Sequence, residues 1–260
     1  MSAEPFLLLQ ISDTHLGADW HGVDPDECLL RAVEAILDLP QRPDALVMSG
    51  DLTQNGTPEE YGRVRELIAP LDLEPHVLPG NHDLRGAMRE AFGLPGEGEE
   101  PASHAVDLGP LRLICLDSII PGAEAGSLDE GRIEWLESTL DADREKLTVL
   151  AMHHPPLTTA IPTFDAIGLA PEWREALGEL LARHPQVVRI IAGHVHRPIV
   201  AELAGRAVVS VPSTYLQSVL EFVPAPIGMV PDPAGFAIHA LRDGALTTHL
   251  QTFPRFVASE

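Results

Sequence analysis

Five short stretches of this chain combine Asp, Asn and His at spacings that suit metal-assisted chemistry. They are Asp13-Thr14-His15, Gly50-Asp51, Pro79-Gly80-Asn81-His82-Asp83, Met152-His153-His154-Pro155 and Gly193-His194-Val195-His196. Asp13 and His15 are two apart, so in extended backbone their side chains share a face and can reach one cation. Asp51 has two oxygens, each able to bind a different cation. Two cations about 3.5–4 Å apart repel strongly, and a shared carboxylate offsets part of that repulsion. Asn81 offers a neutral amide oxygen beside the imidazole of His82. His194 and His196 are again two apart, and in a turn such a pair can be directed at two neighbouring ions. Oxygen and imidazole donors without thiolate suit iron, manganese or zinc.

Each stretch follows an apolar, strand-like run. Residues 6–11, 45–49, 74–79, 147–152 and 187–192 read as strands, the first buried on both faces. Helices are expected over 25–39, 58–71, 85–92, 128–140 and 171–184. Thr57 and Glu60 have capping-box spacing, with Pro58 at the first helical position. Hairpins are expected around Gly109-Pro110 and Gly205, and a closing strand pair over 236–241 and 246–253. The alternation of strand and helix argues for a layered α/β domain. The loop over residues 16–24, with Trp20 and His21, is expected beside the site, and Phe164 as a pocket wall. Residues 211–235 are irregular and rich in proline, and either cover the site or contact another subunit.

The order D-x-H, G-D, G-N-H-D, H, G-H-x-H resembles the calcineurin-like metallophosphoesterase superfamily, from about residue 6 to about residue 213. Within it the chain is most similar to the cyclic-nucleotide (class III) and glycerophosphodiester phosphodiesterases. The resemblance implies a four-layered α/β/β/α sandwich, with residues 1–212 as catalytic domain. Residues 213–260 would form a C-terminal cap segment and closing strands of the same domain. It implies one metal held by Asp13, His15, Asp51 and His196, and a second held by Asp51, Asn81, His153 and His194. Two such cations would make a bridging hydroxide the nucleophile. Asp51 and His82 are the expected catalytic residues. His82 is not needed as a ligand and sits beside Asn81, and it either stabilises the transition-state oxygens or protonates the leaving group. His154 would be an outer partner of the site or an exposed ring.

Two departures bear on substrate. Asn55 and Pro79 stand where protein phosphatases of the superfamily carry arginines, and a monoester dianion gains most from such cationic forks. Hydrolysis of small phosphodiesters is therefore the expected activity, on 3′,5′-cyclic nucleotides such as cAMP or on glycerophosphodiesters. A phosphomonoesterase or pyrophosphatase on the same site is the alternative. Gln54 stands where many relatives have an Asp that orients the catalytic His, here His82.

Composition limits the rest. The chain has 260 residues, 45% of them hydrophobic, and a formal charge of -22. Such a surface repels a polyanion, so a long nucleic acid is not an expected partner. No apolar run approaches the roughly 20 residues that span a bilayer. The N-terminus lacks a basic region before an apolar core, so no signal peptide is expected and cytoplasm is the default compartment. Cys28 and Cys115 are too few for a disulfide framework. A homo-oligomer through the C-terminal segment is compatible with these features.

Overall fold

The computed structural model describes residues 4–253; residues 1–3, and 254–260 of the expected C-terminal segment, lie outside the described residues. In chain order the elements are β1 (Phe6–Ile11), α1 (Pro25–Leu37), β2 (Ala45–Met48), α2 (Pro58–Ile68), β3 (Pro75–Val77) and α3 (Arg85–Phe92). Then follow β4 (His104–Asp107), β5 (Arg112–Leu116), α4 (Glu130–Asp141), β6 (Thr148–Met152), α5 (Pro162–Ala166), α6 (Pro171–Ala182) and β7 (Val187–Ala192). The chain closes with β8 (Ile199–Leu203), β9 (Arg206–Ser210), β10 (Gln217–Ser218), β11 (Met229–Val230), β12 (Ala234–Arg242) and β13 (Ala245–Phe253).

Two sheets pack face to face. One has the order β13-β12-β1-β2-β3, the other β4-β5-β6-β7-β9-β8. Alternation along each strand builds the four layers. Leu9, Ile11, Leu46 and Met48 meet α1 and α2 on the outer face of the first sheet. Leu8 and Val47, one residue out of phase, meet Leu113, Cys115, Val149, Ala151 and Ile191 between the sheets. Ile114, Leu116, Leu150, Met152 and Ile190 face α4 and α6. The result is an α/β/β/α sandwich, and it explains why these strands read as unbroken apolar runs.

Buried polar residues interrupt the inter-sheet layer. Gln10 is fully buried, and its amide donates to Ser49 Oγ (2.8 Å) and to the carbonyl of Ala192 (3.1 Å) in the other sheet. Its Oε1 accepts from His239 Nε2 at 3.0 Å. This chain of bonds links the two sheets just beneath the ends of β2 and β7.

Within each sheet the central strands are parallel: β1-β2-β3 in one, β5-β6-β7-β9 in the other. Their C-terminal ends therefore emerge along one edge, where the five motif stretches lie. The two sheets are stitched together there: Ser213 Oγ donates to the carbonyl of Asp13 (2.7 Å) and His194 N donates to Asp13 Oδ1 (3.0 Å).

Some boundaries differ from the sequence reading. The third strand shrinks to Pro75–Val77 at the sheet edge, where a residue without N–H is tolerated. The helix expected to residue 71 ends at Ile68 and tightens into a 3₁₀ turn that Asp72 closes in left-handed backbone. The loop after His154 contains the single turn α5, and the proline-rich stretch contains the short pair β10–β11. Both cysteines are buried, and neither forms a disulfide. Among the described residues no helix is long and apolar enough to cross a membrane.

Candidate metal centre and catalytic cleft

Backbone conformation at the strand ends is unusual. Asp13, His15, Asp51, His194 and His196 all have positive φ, between 46° and 69°. Such backbone is costly for residues with a Cβ and persists where the surroundings enforce it. It also corrects the expectation that Asp13 and His15 share a face through extended backbone. Their side chains converge because the chain turns left-handed at each of them.

Glycines supply the room. A Cβ on Gly80 would lie 2.2 Å from Asp51 Oδ1, and one on Gly193 would lie 2.0 Å from Ser12 Oγ and 2.7 Å from Asp13 Oδ2. Gly80 does not have positive φ; it opens the turn closed by Asp83 N–H on its carbonyl (3.0 Å), and its lack of a Cβ permits the close approach of Asp51.

The side chains form two adjoining clusters. In the first, Asp13, His15, Asp51 and His196 present donor atoms within 4.8 Å of one another, and all four residues are buried. His196 Nε2 is 3.5 Å from Asp13 Oδ1, and His15 Nε2 is 3.6 Å from Asp51 Oδ2. In the second, Asn81 Oδ1 lies 3.2 Å from His153 Nε2 and 3.1 Å from His194 Nδ1. Asp51 belongs to both, because its Oδ2 is also 3.3 Å from His153 Nε2. Its other oxygen accepts from His82 N at 2.9 Å.

The unsatisfied atoms fit cations. His15 Nδ1 faces the amide oxygen of Gln54 (3.2 Å), and His196 Nδ1 donates to the carbonyl of Leu216 (2.7 Å). Both Nε2 lone pairs then point at each other across 3.0 Å. Asp13 Oδ2 and His194 Nε2 are buried without a partner. Five imidazole or amide donors and two carboxylates, with no thiolate, make a set suited to two first-row metal ions.

Burial dominates the electrostatics. It holds the His15 imidazole well below its ordinary pKa even though Asp51 pulls the other way. Burial, with His154 and His153 nearby, does the same to His194. Burial alone would raise Asp51, but His153, His15 and His82 outweigh it and keep this carboxyl well below the usual range.

His154 is neither exposed nor free to ligate. Its Nε2 donates to the carbonyl of Glu124 (3.0 Å), and its Nδ1 pairs with Ser118 Oγ (2.9 Å). Burial and His153 lower its pKa to about 3, so it is a neutral prop between the second cluster and the loop carrying Glu124. Gln54 also departs from expectation: it faces His15 and not His82. His82 stands half-buried with its ring centroid 5.0 Å from that of His15. Asn55 donates its amide to Glu60 (2.6 Å) instead of facing the cleft.

Sequence reasoning gave Asp83 no role. Its buried carboxylate accepts from the backbone of Leu52, Thr53 and Gly80 and from the hydroxyls of Thr53 and Tyr61. Those five donors clamp the Asp51 loop to the Asn81 loop. The only signal in the sequence was its place at the end of the Gly80-Asn81-His82-Asp83 run.

A cleft of about 510 Å³ opens over both clusters. Trp20 forms one wall, 4.7 Å from the His15 ring between centroids and anchored by its backbone N–H, which donates to Tyr215 Oη (2.9 Å). Phe164, Ile167, Ile227 and Met229 line the cleft as well. His21, Asp19 and Glu124 also reach it, and no lysine or arginine is among the described residues that line it.

Comparison with known proteins agrees with this geometry. The family model for calcineurin-like phosphoesterases matches residues 6–198. A probable glycerophosphodiester phosphodiesterase of Arcobacter nitrofigilis is 36% identical over 197 residues, covering 74% of this chain and 72% of its own length. The 3′,5′-cyclic adenosine monophosphate phosphodiesterase of Pseudomonas aeruginosa is 34% identical over 215 residues, covering 81% and 77%. That of Escherichia coli K12 is 33% identical over 252 residues, covering 94% and 88%. A dimetal phosphatase from Danio rerio has the same fold, with a TM-score of 0.73 at 16% identity over 98% of both chains. The chain belongs to the calcineurin-like phosphoesterases.

Proposed function

We propose that this protein hydrolyses small phosphodiesters, either 3′,5′-cyclic nucleotides such as cAMP or glycerophosphodiesters. The observation that carries this reading is the charge of the cleft. Among the described residues its walls bear Asp19 and Glu124 but neither lysine nor arginine. A monoester dianion would meet two carboxylates and no guanidinium fork, whereas a diester brings a single negative charge. The names of the relatives point to both kinds of diester and do not separate them.

In this reading Asp13, His15, Asp51 and His196 hold one metal ion, and Asp51, Asn81, His153 and His194 hold the other. Iron or manganese suits these donors best, with zinc as the remaining option. When bound, such a pair lowers the pKa of water toward neutrality and neutralises phosphate charge. Asp51 sets the separation of the two positions, and Asn81 supplies a neutral donor that adds no repulsion to the substrate. His82 gives a proton to the leaving oxygen in this reading. Trp20 and Tyr215 pack their rings against His15 of the first cluster. Ile227 and Met229 belong to the proline-rich stretch, which serves as a cap in this reading.

The test compares bis(p-nitrophenyl) phosphate with p-nitrophenyl phosphate on the manganese-loaded protein. A diester kcat/KM at least about tenfold above the monoester value is expected, that being roughly 1.4 kcal/mol of transition-state preference. The reverse preference would assign the site to monoesters.

A further inference from the structure

The histidines of the two clusters are oriented in two ways. His153 donates Nδ1–H to the carbonyl of Ser49 (2.9 Å), and His196 donates to that of Leu216 (2.7 Å). A backbone carbonyl can only accept, so in the neutral form of each ring Nε2 is the lone-pair nitrogen. His15 is different. Its Nδ1 faces a side chain, the amide of Gln54, at 3.2 Å.

An amide has two faces. With Oε1 toward the ring, Nδ1 carries the hydrogen and Nε2 is free to bind a cation. With the amide turned over, its NH₂ would donate to Nδ1 and move the ring hydrogen to Nε2, against Asp51 and His196. A carboxylate at this position would lack the second option. Gln54 itself is held by its backbone, since its N–H donates to the carbonyl of Leu16 (2.8 Å) and Thr53 bridges to Leu16. The side chain is therefore kept at His15 by the pairing of two loops.

Resting on the two-ion reading above, we infer that Gln54 is a positioning residue that selects the metal-binding tautomer of His15 and so sets the affinity of the Asp13–His15–His196 position, independently of the other one. Partners that orient a ligating histidine typically alter metal affinity by about 10–100-fold when changed. Gln54→Ala should weaken one of two manganese sites by that factor. Gln54→Glu should tighten the same site, because a carboxylate accepts only and raises the basicity of the ring. The other site should stay within about threefold of the parent.

The experiment is manganese(II) titration of the full chain after chelation, followed by calorimetry and by the paramagnetic signal of free manganese. It is paired with ¹⁵N spectra of the His15 ring in the metal-free protein. Loss of the Nδ1–H form in Gln54→Ala, with opposite shifts of one site in Gln54→Ala and Gln54→Glu, supports the inference. Tightening in Gln54→Glu cannot come from misfolding. Unchanged affinities in both variants, or equal shifts at both sites, would overturn it, as would a parent chain that takes up no manganese. These readouts need no substrate. A protein that shows the Gln54 effect yet hydrolyses no diester refutes the proposed activity alone.

Discussion

The Nε2 atoms of His15 and His196 face each other at 3.0 Å, each ring having its other nitrogen occupied by Gln54 or Leu216. Two lone pairs at that distance repel, and a cation between them removes the repulsion. Metal should therefore stabilise the fold measurably. At a hundred times Kd, one site contributes about 2.7 kcal/mol. For a chain of this length that is roughly 5–10 °C in Tm. Scanning calorimetry with chelator and then with manganese checks it, and a Tm indifferent to both would count against metal binding at these residues.

Asp51 Oδ2 stands between His15 and His153 at 3.6 and 3.3 Å. Asp51→Asn puts a neutral amide between two cations. Metal content, measured by elemental analysis, should fall from two ions toward one or none. Turnover should drop by roughly 10³-fold or more, as when a group that stabilises transition-state charge is lost. Two retained ions with near-normal turnover would refute the bridging role.

His82→Ala separates two roles for that ring. If it protonates the leaving oxygen, loss should reach about 10²–10⁴-fold on a diester with an alkoxide leaving group. It should be far smaller on bis(p-nitrophenyl) phosphate, whose phenolate leaves unaided. Equal losses in kcat/KM on both would mean that His82 only steadies oxygens common to the two substrates.

Asp83→Ala strips five donors of their shared acceptor in a buried place. Leaving buried donors unpaired costs about 1–3 kcal/mol each when no water replaces the bond. With partial relaxation we expect a net loss of about 3–5 kcal/mol, read by urea denaturation, together with weaker metal binding. A loss below about 1 kcal/mol would show that the two loops do not depend on this clamp.

Acid stability should report His239. Burial, with Arg189 nearby, lowers its pKa to about 3. Below the ordinary value near 6.5 the unfolded chain takes up a proton that the folded one refuses. The fold therefore loses stability as pH falls from 6.5 toward 3, by about 2 kcal/mol at pH 5. His239→Gln removes this term, so its stability should fall less steeply between pH 7 and 5 than that of the parent. Parallel curves would exclude His239 as the source.

What the sequence determined by itself was local. Phe6–Ile11, Arg85–Phe92 and Val187–Ala192 form with the bounds that their apolar pattern implied, and the capping box of Thr57 and Glu60 is present. Residue types at the ends of apolar runs singled out the five stretches, and the family resemblance picked Asp13, His15, Asp51, Asn81, His153, His194 and His196 from them; parallel strands bring these residues to one edge. The tertiary structure decided who meets whom. Gln54 faces His15 and not His82, His154 is buried against Ser118, and Gln10 joins the sheets through Ala192. The His15–His196 contact spans 181 positions of chain. Such partners depend on strand order and on left-handed turns at the strand ends, which arise from packing and close approach across two sheets. No local propensity of Asp or His encodes them.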